Sequence, residues 1–292
     1  MQWFLRGLVL CLALAGGTPA LAGGLLWRIS APDGALRGHL FGTVHLCDAD
    51  CYPLDDAVRE AFAEARVLAL ELDPANEHMA HALATAGLLP AGERLDRGLT
   101  PALAERLERA AIATGADPAS LLRMRPWLAS SILAVMAASK AGFQAERGID
   151  LWLAGEARAR EMPIIELETV ERQIRALSAG GSRTHLAMLE QTVDLILDGR
   201  AQAFFGELRS AWARGDTERL LEMTAEGVAQ EDIQPLLDEL VLARNREMAE
   251  RMAELLARQD RVFIAIGAAH LGGTPSVVSE LRRRGFDVAP VP

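Results

Sequence analysis

Short apolar segments alternate with long segments of helical periodicity along this 292-residue chain. Segments 25–30 and 36–45 are each apolar and β-prone, and Ala31-Pro32-Asp33-Gly34 between them favours a turn, which predicts an opening β-hairpin. Further short strands are predicted at 67–73, 163–168, 261–266 and 287–291. Strands that are apolar at nearly every position must be covered on both faces. The pattern therefore predicts an α/β fold, with a central mixed sheet flanked by helices.

Helical periodicity dominates two long stretches between the predicted strands. From about 76 to 160 the apolar spacing is helical, with breaks at Pro90, Pro101, 115–118 and Pro126. A second helical stretch runs from 170 to 258, and a shorter helix is expected at 275–284. We expect one α/β domain over residues 23–292, in which the segment of about 76–160 is an insertion that forms a large helical lobe.

The first residues have the pattern of a secretory signal peptide. Arg6 precedes an apolar run over 7–16, and Ala20-Leu21-Ala22 offers a small-residue cleavage site. The apolar run stops well short of the roughly 20 residues that cross a bilayer. We therefore expect a signal peptide over residues 1–22, a periplasmic or secreted mature protein, and no stable membrane insertion.

Charge and cysteine content narrow the class of protein further. The net charge of −10 argues against nucleic acid as a partner, because the phosphate backbone repels an acidic surface. Beyond the signal the chain has two cysteines, Cys47 and Cys51, and in an oxidising compartment such a pair is more often a disulfide than a metal site. A loop this short would stiffen the chain locally rather than stabilise the whole fold.

Two matching pentapeptides occur near opposite ends of the chain. Gly42-Thr43-Val44-His45-Leu46 and Gly267-Ala268-Ala269-His270-Leu271 each lie where a predicted strand ends. In open α/β sheets, ligands collect beyond the carboxyl ends of the strands. Glycine three residues before the histidine allows a sharp turn or a close approach of the backbone. One such motif alone is readily explained as a packed histidine at a strand end, whereas two favour a shared site.

Imidazole is the commonest transition-metal ligand, and a catalytic site needs about three protein ligands with one position left open. His45 and His270 would supply two ligands, and Glu71, at the end of strand 67–73, is the first choice for the third. Glu168 ends another short strand, while Glu166 and Asp73 are competing acids nearby. In a metal hydrolase, one carboxylate binds the ion and another acts as general base.

Taken together, these residues resemble the TraB/GumN family over nearly the whole mature chain. The resemblance implies a fold akin to the erythromycin-esterase-like and ChaN-like proteins. It also implies kinship with the TIKI proteases, which are metal-dependent and use paired Gly-x-x-His motifs with a glutamate, here His45, His270 and Glu71. The matching segments include Gly42-Thr43-Val44-His45, Glu71, Arg125-Pro126-Trp127, Gly148-Ile149-Asp150, Leu167-Glu168-Thr169, Glu171, Gln173, Arg244-Asn245 and 267–273.

The resulting hypothesis is a periplasmic metal-dependent hydrolase, a TIKI-like peptidase acting on a peptide or protein. Glu168 would be the base or an acid beside the ligands, and Arg244 and Asn245 would position the site or stabilise negative charge. A structural salt bridge is the alternative for Arg244. Manganese, cobalt, iron or zinc would each suit this ligand set. The alternatives are a non-catalytic binder of haem or metal, and an accessory protein of envelope or polysaccharide assembly.

Overall fold

A computed structural model describes residues 25–292, so the predicted signal peptide lies outside the described residues. The predicted α/β fold is confirmed: six strands form one mixed sheet in the order β4-β3-β5-β2-β1-β6. Strands β4, β3, β5 and β2 are parallel, whereas β1 is antiparallel to both β2 and β6. The strands are β1 Leu26–Ser30, β2 Leu36–Thr43, β3 Val67–Leu70, β4 Ile164–Glu166, β5 Val262–Gly267 and β6 Asp287–Pro290.

The opening hairpin forms as predicted, but its second strand is shorter than the sequence suggested. Gly34 adopts a φ of 84°, the left-handed conformation that glycine tolerates in a turn. Strand β2 ends at Thr43 rather than at His45. The next carbonyl, that of Val44, accepts a hydrogen bond from the amide of Ile149 at 3.0 Å, outside the sheet. The chain therefore leaves the sheet two residues before the histidine.

Helices fill the connections on either side of β4. Three of the prolines that the sequence marks as breaks are the first residues of helices, where their missing N–H costs nothing. Before β4 the helices are α1 Asp56–Ala63, α2 His78–Gly87, α3 Pro101–Thr114, α4 Pro118–Leu121, α5 Pro126–Lys140 and α6 Ile149–Ala159. After β4 they are α7 Val170–Leu177, α8 Gly181–Leu197, α9 Ala201–Arg214, α10 Thr217–Met223, α11 Gln230–Leu237, α12 Arg244–Arg258 and α13 Val277–Arg283.

The two largest hydrophobic clusters among residues 25–292 hold most of these helices together. The larger one contains both faces of the sheet, with Phe41 and Phe263 fully buried, and it includes the buried face of α6. A second core joins α3 and α5 to α8 through Leu107, Leu133 and Val193. Helices from both sides of β4 thus share the second core, while the predicted insertion limits of about 76–160 stay a prediction. Within residues 25–292, no helix has the length and apolarity needed to cross a membrane.

Candidate active site

The two Gly-x-x-His motifs lie side by side at the carboxyl edge of the sheet. Strands β2 and β5 are parallel neighbours, with Gly42 opposite Ile266 and Thr43 opposite Gly267. A Cβ atom on Gly42 would lie 2.6 Å from the side chain of Leu271, in the other motif. Glycine at this position therefore favours close approach of the two motifs, and its backbone angle is not unusual.

His45 is held by an aspartate from the start of α6. Its Nδ1–H donates to Oδ2 of Asp150 at 2.8 Å, and the hydroxyl of Thr43 donates to Oδ1 of the same carboxylate at 2.6 Å. The His45 side chain is 64% exposed, whereas that of Asp150 is only 13% exposed. The negative charge of Asp150 raises the pKa of His45 to about 9. Among the described residues, Nε2 of His45 has no hydrogen-bond partner, so it is the nitrogen available to a ligand.

His270 is held in the same way by an amide. It lies in a 3₁₀ turn, Ala268–Leu271, directly after β5. Its Nδ1 is 2.6 Å from Oδ1 of Asn245, whose own Nδ2 donates to the carbonyl of Pro275 at 2.8 Å. That second bond fixes the amide orientation, so Nδ1 of His270 carries the proton and Nε2 the lone pair. Burial lowers the pKa of His270 to about 4, which keeps the ring neutral.

Glu71 and Glu168 leave adjacent parallel strands and meet at one guanidinium. Oε1 of Glu71 accepts from the amide of Gly267 at 2.6 Å, and Oε2 accepts from Nη2 of Arg244 at 2.5 Å. Burial alone would raise the pKa of Glu71, but Arg244, the two histidines and the Gly267 amide together lower it to about 2. Glu168 accepts from Nε of Arg244 at 2.9 Å, yet burial leaves its pKa raised.

Arg244 connects both acids to the second histidine. It begins α12, directly after a π-helical turn at Asp238–Ala243, and its side chain is 5% exposed. Besides the two glutamates, its Nη1 lies 3.1 Å from Nε2 of His270. The salt bridge that the sequence offered as an alternative is thus present, and it lies inside the candidate site. A part for Arg244 in a reaction stays a prediction.

The three predicted ligands surround one point beside Gly267. A Cβ built on that glycine would lie 3.1 Å from Oε1 of Glu71, 3.7 Å from Cδ2 of His270 and 3.8 Å from Nε2 of His45. Oε1 of Glu71 is 3.7 Å from Nε2 of His270. Two imidazoles that present Nε2 and one ionised carboxylate suit a divalent transition ion.

The spacing of these donors bears on how an ion would fit. Within the described part of the chain, the three donor atoms do not all lie within 4.8 Å of one another. Ligands of a tetrahedral ion are about 3.4 Å apart. The donors would therefore have to move together around an ion, and Arg244 would have to release Nε2 of His270.

The competing acids have other partners. Oε1 of Glu166 accepts from the amide of Asp73 at 3.0 Å and from the side chain of Asn76 at 2.9 Å. The carboxylate of Asp73 is paired with Arg158. Both acids thus order the chain after β3, and neither is among the groups that surround Gly267.

A disulfide joins Cys47 and Cys51, as predicted, with both residues fully buried. The backbone of Cys47 exchanges two hydrogen bonds with Gln144, at 3.1 and 2.8 Å. Asp48 lies close to the two sulfur atoms, and the three form the one cluster of metal-ligand types within 4.8 Å among residues 25–292. Because the disulfide uses both sulfurs, this cluster offers no thiolate to an ion. The disulfide instead stiffens the loop that follows His45.

Asp150 is the site residue that sequence reasoning missed. It entered only as part of the segment Gly148-Ile149-Asp150, with no role attached. A Cβ on Gly148 would lie 2.4 Å from the carbonyl oxygen of His45, so glycine permits this segment to touch the first motif. The occurrence of an acid within a segment that matches the family was the available signal. The segment gave no indication that Asp150 contacts His45, which lies 105 residues away in the sequence.

Comparisons with known proteins identify relatives that match most of this chain. The uncharacterized protein YbaP of Escherichia coli (strain K12) is 26% identical over 277 residues, covering 88% of this chain and 99% of YbaP. Metalloprotease TIKI2 of Danio rerio is 27% identical over 318 residues, or 91% of this chain. Metalloprotease TIKI1 of Homo sapiens is 25% identical over 318 residues. The chain spans 61% and 62% of the length of these two metalloproteases.

No solved structure matches the chain, so the likeness to erythromycin-esterase-like and ChaN-like folds stays a prediction. The profile of the TraB/PrgY/gumN family, by contrast, matches residues 25–290, which include both Gly-x-x-His motifs and both buried glutamates. The chain therefore belongs to the TraB/PrgY/gumN family.

Proposed function

We propose that this protein is a metal-dependent hydrolase that cleaves peptide bonds, with His45, His270 and Glu71 as the ligands of one divalent ion. Two imidazoles and a carboxylate oxygen lie around Gly267, with Nε2 of His270 3.7 Å from Oε1 of Glu71, and this grouping supports the proposal. In each histidine an oxygen atom holds Nδ1, which leaves Nε2 for the ion. Such partners are the usual companions of metal-binding histidines. The relatives that are named metalloproteases support the peptide bond as the target.

The ion would come from manganese, cobalt, iron or zinc, because mixed histidine and carboxylate ligation suits each of them. When bound, such an ion supplies Lewis-acid chemistry toward a substrate carbonyl group and toward water. The low pKa of Glu71 keeps its carboxylate ionised at every physiological pH. Glu71 thus needs to lose no proton before it binds a cation.

We assign Glu168 the role of general base. Burial raises the pKa of its carboxyl group, which brings that group toward the working range of a proton acceptor. Arg244 binds Glu168 through Nε and thereby fixes where the carboxylate points. The same guanidinium is a buried donor, and it would stabilise negative charge that develops on the substrate carbonyl oxygen.

We propose that the protein works outside the cytoplasm, in the periplasm or after secretion. The Cys47–Cys51 disulfide supports this, because disulfides persist in oxidising compartments. The signal-peptide pattern of residues 1–22 points the same way. The substrate would then be a peptide or a protein that is itself exported.

Cleavage of a peptide library tests the function directly. Purified protein is stripped with a chelator, reloaded separately with manganese, cobalt, iron or zinc, and compared with the Glu168→Gln and His45→Ala variants. We expect cleavage that needs the ion, with Glu168→Gln slower by about 10²- to 10⁴-fold at unchanged metal content. His45→Ala should bind the ion weakly enough to lose it on desalting, and should lose cleavage with it. The variant Glu222→Gln, at an exposed glutamate of α10, is the matched control.

Cleavage that continues unchanged after the ion is removed would contradict the metal-dependent mechanism. Retention of metal with no cleavage of any library peptide would favour the non-catalytic binder. If the wild-type protein neither binds metal nor cleaves any library peptide, the accessory role in envelope assembly would be favoured.

A further inference from the structure

We propose that Asp150 is the positioning residue of His45: its carboxylate fixes the ring so that Nε2 points to the ligand position. The proposal rests on the proposed function in one respect, namely that His45 binds the ion. Asp150 itself would touch neither the ion nor the substrate. It would act through the imidazole alone.

Both carboxylate oxygens of Asp150 accept hydrogen bonds from residues of the first Gly-x-x-His motif. Oδ2 accepts from Nδ1 of His45 at 2.8 Å, and Oδ1 accepts from the hydroxyl of Thr43 at 2.6 Å. Thr43 is 1% exposed, so bulk solvent does not reach its hydroxyl. The two hydrogen bonds together restrict rotation of the carboxylate and direct Oδ2 at His45.

The backbone around Asp150 is fastened to the same motif. The amide of Ile149 donates to the carbonyl of Val44 at 3.0 Å, and Gly148 packs against the carbonyl of His45. Asp150 also lies in the first turn of α6, an 11-residue helix whose N-terminus favours a negative charge. Aspartate and histidine are therefore held in one relative position by main chain as well as by side chains.

No other partner explains why this acid is buried. Burying a carboxylate is costly unless it is paired and hydrogen-bonded. Among residues 25–292, no arginine or lysine is within 4.0 Å of Asp150, and His45 is its sole ion-pair partner. A purely structural acid would be expected to bind a permanent cation, as Glu71 and Glu168 do with Arg244. Among the described residues, the Asp150 carboxylate has hydrogen bonds to Thr43 and His45 alone.

Zinc titration of a double-mutant cycle tests the proposal. The proteins are wild type, Asp150→Ala, His45→Ala and the double variant, with zinc affinity measured by competition calorimetry. We expect Asp150→Ala to weaken zinc binding by about 10- to 100-fold in the wild-type background, as loss of such partners usually does. In the His45→Ala background it should change nothing, because the residue it acts through is gone. Asp150→Asn, which keeps an oxygen acceptor, should recover part of the loss.

Asp260→Ala, which removes an exposed acid paired with Arg66, is the control for charge and should bind zinc like wild type. Equal weakening by Asp150→Ala in both backgrounds would show a general structural role and overturn the proposal. So would wild-type affinity in Asp150→Ala.

A second measurement needs no ion and separates this proposal from the proposed function. In metal-free protein labelled with ¹⁵N-histidine, a hydrogen-bonded Nδ1–H of His45 should give a downfield proton signal that His45→Ala removes. Asp150→Ala should abolish that signal, and Asp260→Ala should keep it. If wild type shows the signal yet binds no zinc, the metal-dependent function fails while the positioning contact stands. Absence of the signal from wild type would overturn the proposal itself.

Discussion

Nη1 of Arg244 lies 3.1 Å from Nε2 of His270, the nitrogen that the metal proposal requires as a ligand. The same guanidinium is bonded to Glu71 and Glu168, so a permanent cation already neutralises the acids that an ion would neutralise. An ion bound as proposed would therefore compete with Arg244 for His270 and share Glu71 with it.

Replacing Arg244 with alanine should destabilise the metal-free protein strongly. The loss leaves two buried carboxylates without a counter-charge, and breaking a buried pair costs about 3–5 kcal/mol. Added zinc should then restore more stability in Arg244→Ala than it adds to wild type. Urea unfolding with and without zinc measures both effects. Arg106→Ala, which breaks partly exposed pairs with Glu190 and Asp194, should cost no more than about 1 kcal/mol. Equal stability of Arg244→Ala and wild type would contradict this account.

Replacing Gly267 with alanine should damage the site and leave the fold intact. The new methyl group would lie 3.1 Å from Oε1 of Glu71 and 3.8 Å from Nε2 of His45, within the space between the ligands. We expect metal affinity to fall while the circular dichroism spectrum is unchanged. Gly155→Ala in α6 is the matched control, since its Cβ would meet nothing within 4 Å and alanine favours a helix. Unchanged metal affinity in Gly267→Ala would place the ion elsewhere.

Ion binding near pH 7 should release about one proton, and that proton should come from His45. Asp150 raises the pKa of His45 to about 9, so the ring is protonated at pH 7 and must lose its proton to bind. His270 and Glu71, with pKa values of about 4 and about 2, are already deprotonated. Apparent affinity should therefore increase about tenfold per pH unit between pH 6 and 8. Calorimetry in buffers of different ionisation enthalpy counts the protons, and a count near zero would disagree with this assignment.

The Cys47–Cys51 disulfide should matter more to the site than to global stability. The two cysteines are separated by 4 positions in the sequence. Closing so short a loop adds about 2 kcal/mol or less to the free energy of unfolding through chain entropy. The double variant Cys47→Ser, Cys51→Ser should fold, bind metal more weakly and show faster hydrogen exchange around His45. Thiol titration of the unfolded, exported wild-type protein should find no free cysteine. Two free thiols would show that the bridge does not form in the cell.

Most of the fold could be predicted because its signals are local. The apolar runs of β3 and β5 and the helix-starting residues Pro101 and Pro126 are each visible in a few adjacent residues. The strand order was not accessible in this way. That β5 lies between β3 and β2 depends on pairing across some 200 residues, which no local pattern encodes. The π-helical turn before Arg244 also lacked a signal, because its residues suit an ordinary helix equally well.

The candidate site was predictable to a similar extent. The histidines and Glu71 were predicted as ligands because each lies at the end of a predicted strand. The carboxyl ends of parallel strands lie at the same edge of a sheet. Asn245 entered through the family resemblance, and only the structure shows that it holds Nδ1 of His270. Asp150 was missed as a site residue because its partner is distant in sequence. The sequence thus indicated the groups that would touch a ligand, whereas the groups that orient them required coordinates.

His45, His270 and Glu71 are the proposed ligands of one divalent ion. Elemental analysis after metal loading and desalting measures whether they hold it, with the double variant His45→Ala, His270→Ala beside wild type. The variant His78→Ala, His81→Ala, which removes two exposed histidines of α2, is the control. We predict about one ion per chain in wild type and in the control, and nearly none in the site variant. Equal metal in the site variant and in wild type would contradict the account.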